Sequence, residues 1–253
     1  MNITETYLNH LKPQLTARDR EIIARLSQFK LMTGKQIERL YFAQLTAKSR
    51  TRQRQAVLRR LTDHRVLARL DRRIGGPDSG SAEYIYTLDV VGQRLAETTE
   101  RPRRPYVWYD PTIQHYLAVS EVYVRLIEAE HAGMLTLLRF EAEPYCWRSF
   151  GSQTLKPDVF VQVGVVTDGE RRKLTRFIEV DRGTQYGTKI ATKLPVYEQY
   201  WRHQHGQGRR MPRVVFLAPS GERVAYLTQL VATAPPLFEV VLFDQVLGAL
   251  GGA

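Results

Sequence analysis

Three acidic residues and one lysine in the second half of the chain have the types and spacing that a divalent-cation site requires. Asp158, Glu179 and Asp181 supply carboxylates, and Lys193 supplies an ammonium. Because Glu179 and Asp181 are two residues apart, they lie on one face of a predicted strand. Carboxylate oxygens are the ligands that Mg²⁺ prefers, and a metal held in this way can promote phosphate chemistry. We take the three acids as candidate metal ligands and all four residues as candidate catalytic residues.

The same acids also have a purely structural interpretation. Asp158 and residues 179–182 are equally consistent with a salt-bridged turn in which Arg182 neutralises a carboxylate. Glu121 is either a further ligand or an exposed glutamate on a helix. The single cysteine, Cys146, excludes an internal disulfide and a cysteine-based zinc cluster, and a small buried side chain is its simplest role.

A run of basic residues in the first third of the chain is the second informative feature. Residues 48–73 hold ten Lys or Arg and two Asp, whereas residues 112–253 hold 16 basic and 14 acidic residues. The net charge of +11 is therefore concentrated, which is typical of a nucleic-acid-binding surface. A solvated helix face is the alternative. The candidate DNA-binding residues are Lys48, Ser49, Arg50, Arg52, Gln53, Arg59, Arg60, Arg72 and Arg73.

Capping residues and apolar spacing place the basic run in a small DNA-binding domain. Thr16 caps a predicted first helix, Thr33 caps a second, and residues 49–61 form a third. Residues 66–70 and 83–88 predict two strands joined by a turn-rich segment. Three helices followed by a hairpin predict a winged helix-turn-helix, whose third helix enters the major groove.

A change in composition predicts a second domain. Residues 100–105 contain two prolines and three arginines, which are typical of an extended linker. We expect a winged helix-turn-helix domain over residues 1–99, a basic linker over 100–111, an α/β domain over 112–247 and a flexible tail over 248–253.

The second domain reads as an αβββαβ unit with an added helix and strand, so the fold class is α+β or α/β. We interpret His115, Trp147 and the aromatic cluster of Tyr197, Tyr200 and Trp201 as packing residues. The predicted elements are a helix at 112–131, strands at 135–140, 158–166 and 175–181, a helix at 187–204, a strand at 213–218, a helix at 221–232 and a strand at 238–243.

The segment Pro157-Asp158, followed by Glu179-Val180-Asp181, resembles the metal-binding core of the PD-(D/E)xK nuclease superfamily. The resemblance implies a restriction-endonuclease-like fold for the second domain. The superfamily's lysine, two residues after its acid, is Asp181 here. Lys193 or Lys189, from the following helix, would then supply the positive charge.

Several segments taken together resemble the replication-relaxation family of plasmid and mobile-element proteins. The resemblance implies a DNA-binding accessory or initiator-like role with a nuclease-like second domain. Its segments are residues 15–19, 50–55, 58–61, 86–92, 115–119, 155–158 and 177–184, with Lys193 and Tyr197 downstream.

We therefore predict a double-stranded DNA-binding protein of a plasmid, phage or mobile element, acting in replication or relaxation or in their regulation. One alternative is a Mg-dependent DNA endonuclease or nickase targeted by the winged helix, and a second is a dimeric transcriptional regulator. DNA binding needs no cofactor, whereas an active nuclease-like site needs Mg²⁺ or Mn²⁺. Whether the chain is an enzyme stays open.

Partners and location follow from composition. Double-stranded DNA is the expected partner, and a homodimer or a replication or relaxation protein is the further candidate. No run of apolar residues approaches the roughly 18 that a membrane span needs, and the first residues lack the pattern of a secretory signal. The sequence predicts a cytoplasmic protein with no membrane partner.

Overall fold

The computed structural model describes residues 3–74, 83–96, 110–167, 169–183, 187–232 and 237–251, while the side chains of residues 71–74, 110 and 187–189 lie outside this description. Helices and strands of mixed α+β type form two compact units, Met1–Val124 and Arg125–Ala253. Within the described residues, none of the helices combines the length and the apolar character needed to cross a membrane.

The first unit is built of helices around a small antiparallel sheet. The sheet has the strand order β1-β3-β2. In chain order the elements are α1 (Glu5–Leu11), a 3-10 turn (Lys12–Gln14), α2 (Ala17–Phe29), β1 (Met32–Thr33), α3 (Gly34–Tyr41), α4 (Ala47–Asp63), β2 (Leu67–Ile74), β3 (Glu83–Leu88), α5 (Val90–Leu95) and the first part of α6 (Asp110–His131).

Side-chain caps fix where the helices of this unit begin. Thr16 accepts a hydrogen bond from the Asp19 amide, and Asp19 accepts one from the Thr16 amide, which closes a capping box at α2. Thr33 and Gln36 form the same arrangement at α3. Both predicted helix starts are confirmed, whereas α1 and the short strand β1 were not predicted.

The long helix α6 contributes its first turns to the core of the first unit. Ile113 and Leu117 pack against Leu31 and Ile85, and the Ser120 hydroxyl donates to the Leu31 carbonyl at 2.7 Å. The division between the units consequently falls at residues 124 and 125, inside α6. This differs from the expectation that a linker at 100–111 separates the domains; residues 97–109 lie outside the described part of the chain.

The second unit consists of a mixed β-sheet with helices packed against it. The five-stranded sheet has the order β10-β9-β8-β7-β4, and β5 pairs with β6 in a separate hairpin. In chain order the elements are β4 (Thr136–Ala142), β5 (Arg148–Phe150), β6 (Gln153–Leu155), β7 (Val159–Thr167), β8 (Glu170–Val180), α7 (Gly187–Gly206), β9 (Arg213–Ala218), α8 (Gly221–Val231), β10 (Phe238–Leu242), a 3-10 turn (Phe243–Gln245) and α9 (Val246–Ala249).

Strand direction explains why helices separate the last strands. Strands β7 and β8 are antiparallel neighbours, whereas β8, β9 and β10 run parallel to one another. Parallel neighbours need a crossover connection, which α7 and then α8 provide. Phe160, Phe177 and Phe216 of the sheet pack with Leu194 and Tyr197 of α7 to form the main core of the unit. The predicted strands and helices of this region are present, with shifts of a few residues at their ends.

Residues 248–251 differ from the flexible tail predicted over residues 248–253, and residues 252–253 lie outside the described part of the chain. Residues Val246 to Ala249 form α9, and Leu250 is only 1% exposed. A side chain at Gly251 would meet Leu174 and Val165, so the chain lies close to the sheet there. Apolar burial of Val246 and Leu250 explains the difference, because the sequence pattern of so short a segment does not reveal it.

A prediction concerns Gly92 in α5. A Cβ atom at this position would lie 2.1 Å from the Val66 carbonyl oxygen, so Gly92→Ala forces the helix away from the residue that precedes β2. We expect the free energy of unfolding to fall by about 2 kcal/mol or more, as overpacking requires. Gly34→Ala is the control, because its Cβ meets nothing closer than 3.5 Å. Equal midpoints of chemical unfolding for the two variants would contradict this.

Candidate functional site

Helix α4 carries the exposed basic surface of the first unit. Lys48, Arg52, Gln55 and Arg59 are exposed and follow one another at intervals of four, three and four residues, so they share one side of the helix. We call these four residues the basic face. Leu58 and Leu61 are buried and anchor the opposite side. Of the other candidates, Ser49 and Gln53 are also exposed.

Two predicted DNA-binding arginines are instead bonded within the fold. The Arg50 guanidinium donates to the Ala43 and Leu45 carbonyls at 2.9 and 3.1 Å, which closes the loop before α4. Arg60 donates to both carboxylate oxygens of Asp19 at 2.7 and 2.8 Å. These contacts give Arg50 and Arg60 a structural role.

The Asp19 carboxylate is fully buried and stays charged. Burial acts to raise the pKa of Asp19, but hydrogen bonds from Arg60 and Thr16 outweigh it and leave that pKa below its usual value. A charged pair here joins the start of α2 to the last turns of α4. Arg59 and Arg60 are neighbours in sequence, yet Arg59 is on the surface and Arg60 is held at Asp19.

A groove of about 570 Å³ runs beside the basic face. Its walls include Gln55 and Arg59 of α4, Arg69 of β2 and Tyr84 of β3. The Arg69 guanidinium lies 4.2 Å from the centre of the Tyr84 ring. Gln55 and Arg69 were not among the predicted residues, although the helical spacing of Gln55 from Arg52 and Arg59 would have identified it. The predicted residues Arg72 and Arg73 lie in β2, and their side chains are outside the described residues.

In the second unit, the structure brings Asp158 and Glu179 together with Lys193. Asp158 directly precedes β7 and accepts a hydrogen bond from the Val180 amide at 2.7 Å. Lys193, on α7, donates to Glu179 Oε2 at 2.6 Å, and its Nζ lies 3.9 Å from Asp158 Oδ1. Tyr197, one helical turn further on, donates to Glu179 Oε1 at 2.6 Å. Tyr197 was predicted to be a packing residue, and its bond to Glu179 was not predicted.

Burial and charge shift the pKa values of these groups. Burial, followed by the charge of Asp158, raises the pKa of Glu179 to about 7. Burial also raises the pKa of Asp158. Burial acts to lower the pKa of Lys193, but the charges of Glu179 and Asp158 outweigh it and raise that pKa above its usual range. The ammonium is therefore retained, and Glu179 is the carboxylate that titrates near neutral pH.

Asp181 has a different partner. Its two carboxylate oxygens accept hydrogen bonds from Arg223 of α8, at 2.5 and 3.2 Å. Arg182, the expected neutralising residue, is exposed, and the side chain of Lys189 is outside the described residues. Arg223 was not predicted, because it is 42 residues away and only the packing of α8 brings it to Asp181.

The space among the acids is too small for a hydrated metal ion in this arrangement. Asp158, Glu179, Asp181 and Lys193 line a cavity of about 10 Å³, which is about the volume that one water needs. Mg²⁺ usually keeps several waters. Both Glu179 oxygens already accept hydrogen bonds, and among the described residues no group of three His, Cys, Asp or Glu side chains is placed to hold a metal. The donor set does not fit Mg²⁺ or Mn²⁺ while Lys193 stays bound.

The structure also places three further residues that were singled out in the sequence. Cys146 is fully buried, and burial raises the pKa of its thiol to about 12. Glu121 accepts hydrogen bonds from Gln36 and Arg39 within the first unit. Trp147, expected to pack in the interior, is 37% exposed.

Residues 23–214 match the family described as replication-relaxation. The chain belongs to the replication-relaxation family. Its family match begins within α2 and ends in β9, so it includes the basic face, Asp158, Glu179 and Lys193, and stops before Arg223. Membership of the replication-relaxation family suggests a role in the replication of mobile elements. Among curated proteins and among solved structures, none matches the chain significantly.

A prediction follows from the pKa of Glu179. An acid whose folded-state pKa is above its unfolded value binds its proton more tightly when folded, so its contribution favours folding below pH 4.5 and is lost as the pH rises to about 7. The slope reaches at most about 1.4 kcal/mol per pH unit for one proton. We expect Glu179→Gln to reduce the decline in unfolding free energy over this window, measured by urea unfolding. Glu170→Gln, an exposed change in the same strand, should keep the original slope; identical profiles for both variants would oppose the assignment.

Proposed function

We propose that the first unit binds double-stranded DNA through the basic face of α4, in the replication or relaxation of a mobile element. The observation that carries this proposal is the row Lys48, Arg52, Gln55 and Arg59 on one exposed side of a single helix. The order of α2, α3 and α4, followed by the β2–β3 pair, supports a winged-helix assignment for the unit.

The dimensions of α4 suit this role. Its 17 residues make a helix about 25 Å long, and an α-helix fits a B-DNA major groove about 12 Å wide. Arginine and glutamine are side chains that read base edges in that groove, and lysine and arginine also contact phosphates. On this basis Arg52 and Gln55 contact bases, while Lys48 and Arg59 contact the backbone on either side.

The second unit has a different charge. Residues 112–253 hold 16 basic and 14 acidic residues, so net charge alone gives this part of the chain little affinity for duplex DNA. We propose that it supports assembly, either with a second copy of the chain or with a replication or relaxation protein. A palindromic binding site would favour the second copy, because two-fold proteins mirror their operators.

The first prediction of this proposal concerns salt. Changing Lys48, Arg52 and Arg59 to Ala removes three cations from the basic face. We expect duplex affinity to fall at least about tenfold and the slope of log K against log salt to shrink by about 0.9 per lost phosphate contact. Fluorescence anisotropy with labelled duplex over a range of salt concentrations measures both quantities.

The matched control removes the same charge elsewhere. Arg171, Arg172 and Lys173 are exposed on β8 in the second unit, and their replacement by Ala also lowers the net charge by three. We expect this triple variant to keep nearly the original slope. Equal losses in the two triple variants would mean that binding reflects overall charge and would remove α4 from the interface.

A metal-dependent nuclease is the second candidate function. It is favoured by the contact of Asp158, Glu179 and Lys193, the residue types of the PD-(D/E)xK pattern, in one small cavity. It is opposed by the cavity volume and by the bonds that already occupy Glu179 and Asp181. We therefore propose that these residues stabilise the second unit. The chain then binds duplex DNA through its first unit and does not cleave it.

The corresponding prediction uses supercoiled plasmid. We expect the purified chain to leave it intact with Mg²⁺ or Mn²⁺, and a native gel of the same samples to show binding that persists in EDTA. Asp158→Ala/Glu179→Ala should bind as the parent does, provided that circular dichroism shows it is folded. Metal-dependent nicking that disappears in this double variant would establish the nuclease instead.

A further inference from the structure

Two aromatic side chains of the second unit face solvent on a well-anchored turn. Tyr145 is 65% exposed and Trp147 is 37% exposed. Cys146 between them is buried and donates a hydrogen bond to the Pro157 carbonyl at 2.9 Å. The Trp147 amide donates to the Pro144 carbonyl at 3.1 Å. The backbone is thus fixed, and exposure of the two rings is a property of the folded turn.

A lysine accompanies these rings. The Lys156 ammonium lies 4.7 Å from the centre of the Trp147 ring. Lys156 is exposed, and it has no ion pair among the described residues. Arg148, by contrast, is bonded to Glu141 at 2.5 Å. The exposed part of the Trp147 ring therefore has a cation beside it.

The β5–β6 hairpin packs against α7. Phe150 of β5 packs edge-on against Tyr200 of α7, with ring centres 5.2 Å apart. Burial raises the pKa of Tyr200, and the charges of Arg148 and Arg209 oppose that rise. Arg209 and its neighbour Arg210 are exposed and form no ion pair within the described part of the chain.

We propose that Tyr145, Trp147 and Lys156 form a binding surface for single-stranded DNA. Bases in a duplex are stacked on one another, whereas those of a single strand present their faces to aromatic rings. Exposed rings with a lysine beside one of them match this chemistry. A purely apolar protein partner would leave Lys156 without a counter-charge. Because replication exposes single strands, the surface complements duplex binding by α4, and it does not depend on that binding.

The test measures binding of the full chain to fluorescein-labelled oligo(dT) of about 20 nucleotides by anisotropy. Base stacking on an aromatic side chain corresponds to roughly five- to 150-fold in affinity, so we expect Trp147→Ala and Tyr145→Ala each to weaken binding about tenfold or more. Trp147→Phe, which keeps a stacking ring, should bind nearly as the parent does. Lys156→Ala should reduce the salt slope by about 0.7.

Two comparisons separate this proposal from duplex binding by α4. The triple variant at Lys48, Arg52 and Arg59 should lose duplex affinity and keep oligo(dT) affinity, whereas Trp147→Ala should do the reverse. If the α4 variant loses both, oligo(dT) binds to α4 and the proposed surface is wrong. Unchanged oligo(dT) affinity in Trp147→Ala would likewise overturn it. So would a loss of duplex affinity in this variant as large as its loss of oligo(dT) affinity.

Discussion

The ion pair between the buried Asp19 carboxylate and the partly exposed Arg60 guanidinium determines how α4 is presented. Asp19 has no exposed surface, and Arg60 donates to both of its carboxylate oxygens. Removing either partner would leave the other charge without its hydrogen-bonded counter-charge. With Arg60 held at the start of α2, and with Leu58 and Leu61 buried, the helix cannot rotate freely. Lys48, Arg52, Gln55 and Arg59 must then face solvent.

A second cluster of charges organises the other unit in a comparable way. Lys193 and Tyr197, one turn apart on α7, both donate to Glu179 on β8. Arg223 on α8 donates to Asp181, just beyond the same strand. Each of the two helices that cross the sheet is therefore tied to the end of β8 by a charged hydrogen bond. These bonds give the buried carboxylates the hydrogen-bond donors and counter-charges that burial of an acid requires.

Much of the fold could be predicted from the sequence, because local signals determine it. Thr16 and Thr33 mark helix starts, and the apolar run of β9 marks a buried strand. What could not be predicted depends on packing between distant segments. Arg59 and Arg60 look alike in sequence, and only the position of Asp19 makes one of them structural. Similarly, nothing in the local pattern around Asp181 indicates Arg223, and the exposure of Trp147 depends on how the neighbouring cysteine is buried.

The most direct test of the central claim is a site-specific cross-link to duplex DNA. The chain's single cysteine is fully buried, so an introduced cysteine is the accessible thiol. Gln55→Cys places it on the basic face, and Gln229→Cys places it on the exposed side of α8. With a duplex that the chain binds and that carries a thiol tether in its major groove, we predict efficient disulfide formation at position 55 and little at position 229. A bound complex that cross-links equally at both positions, or at 229 alone, would contradict duplex recognition by α4.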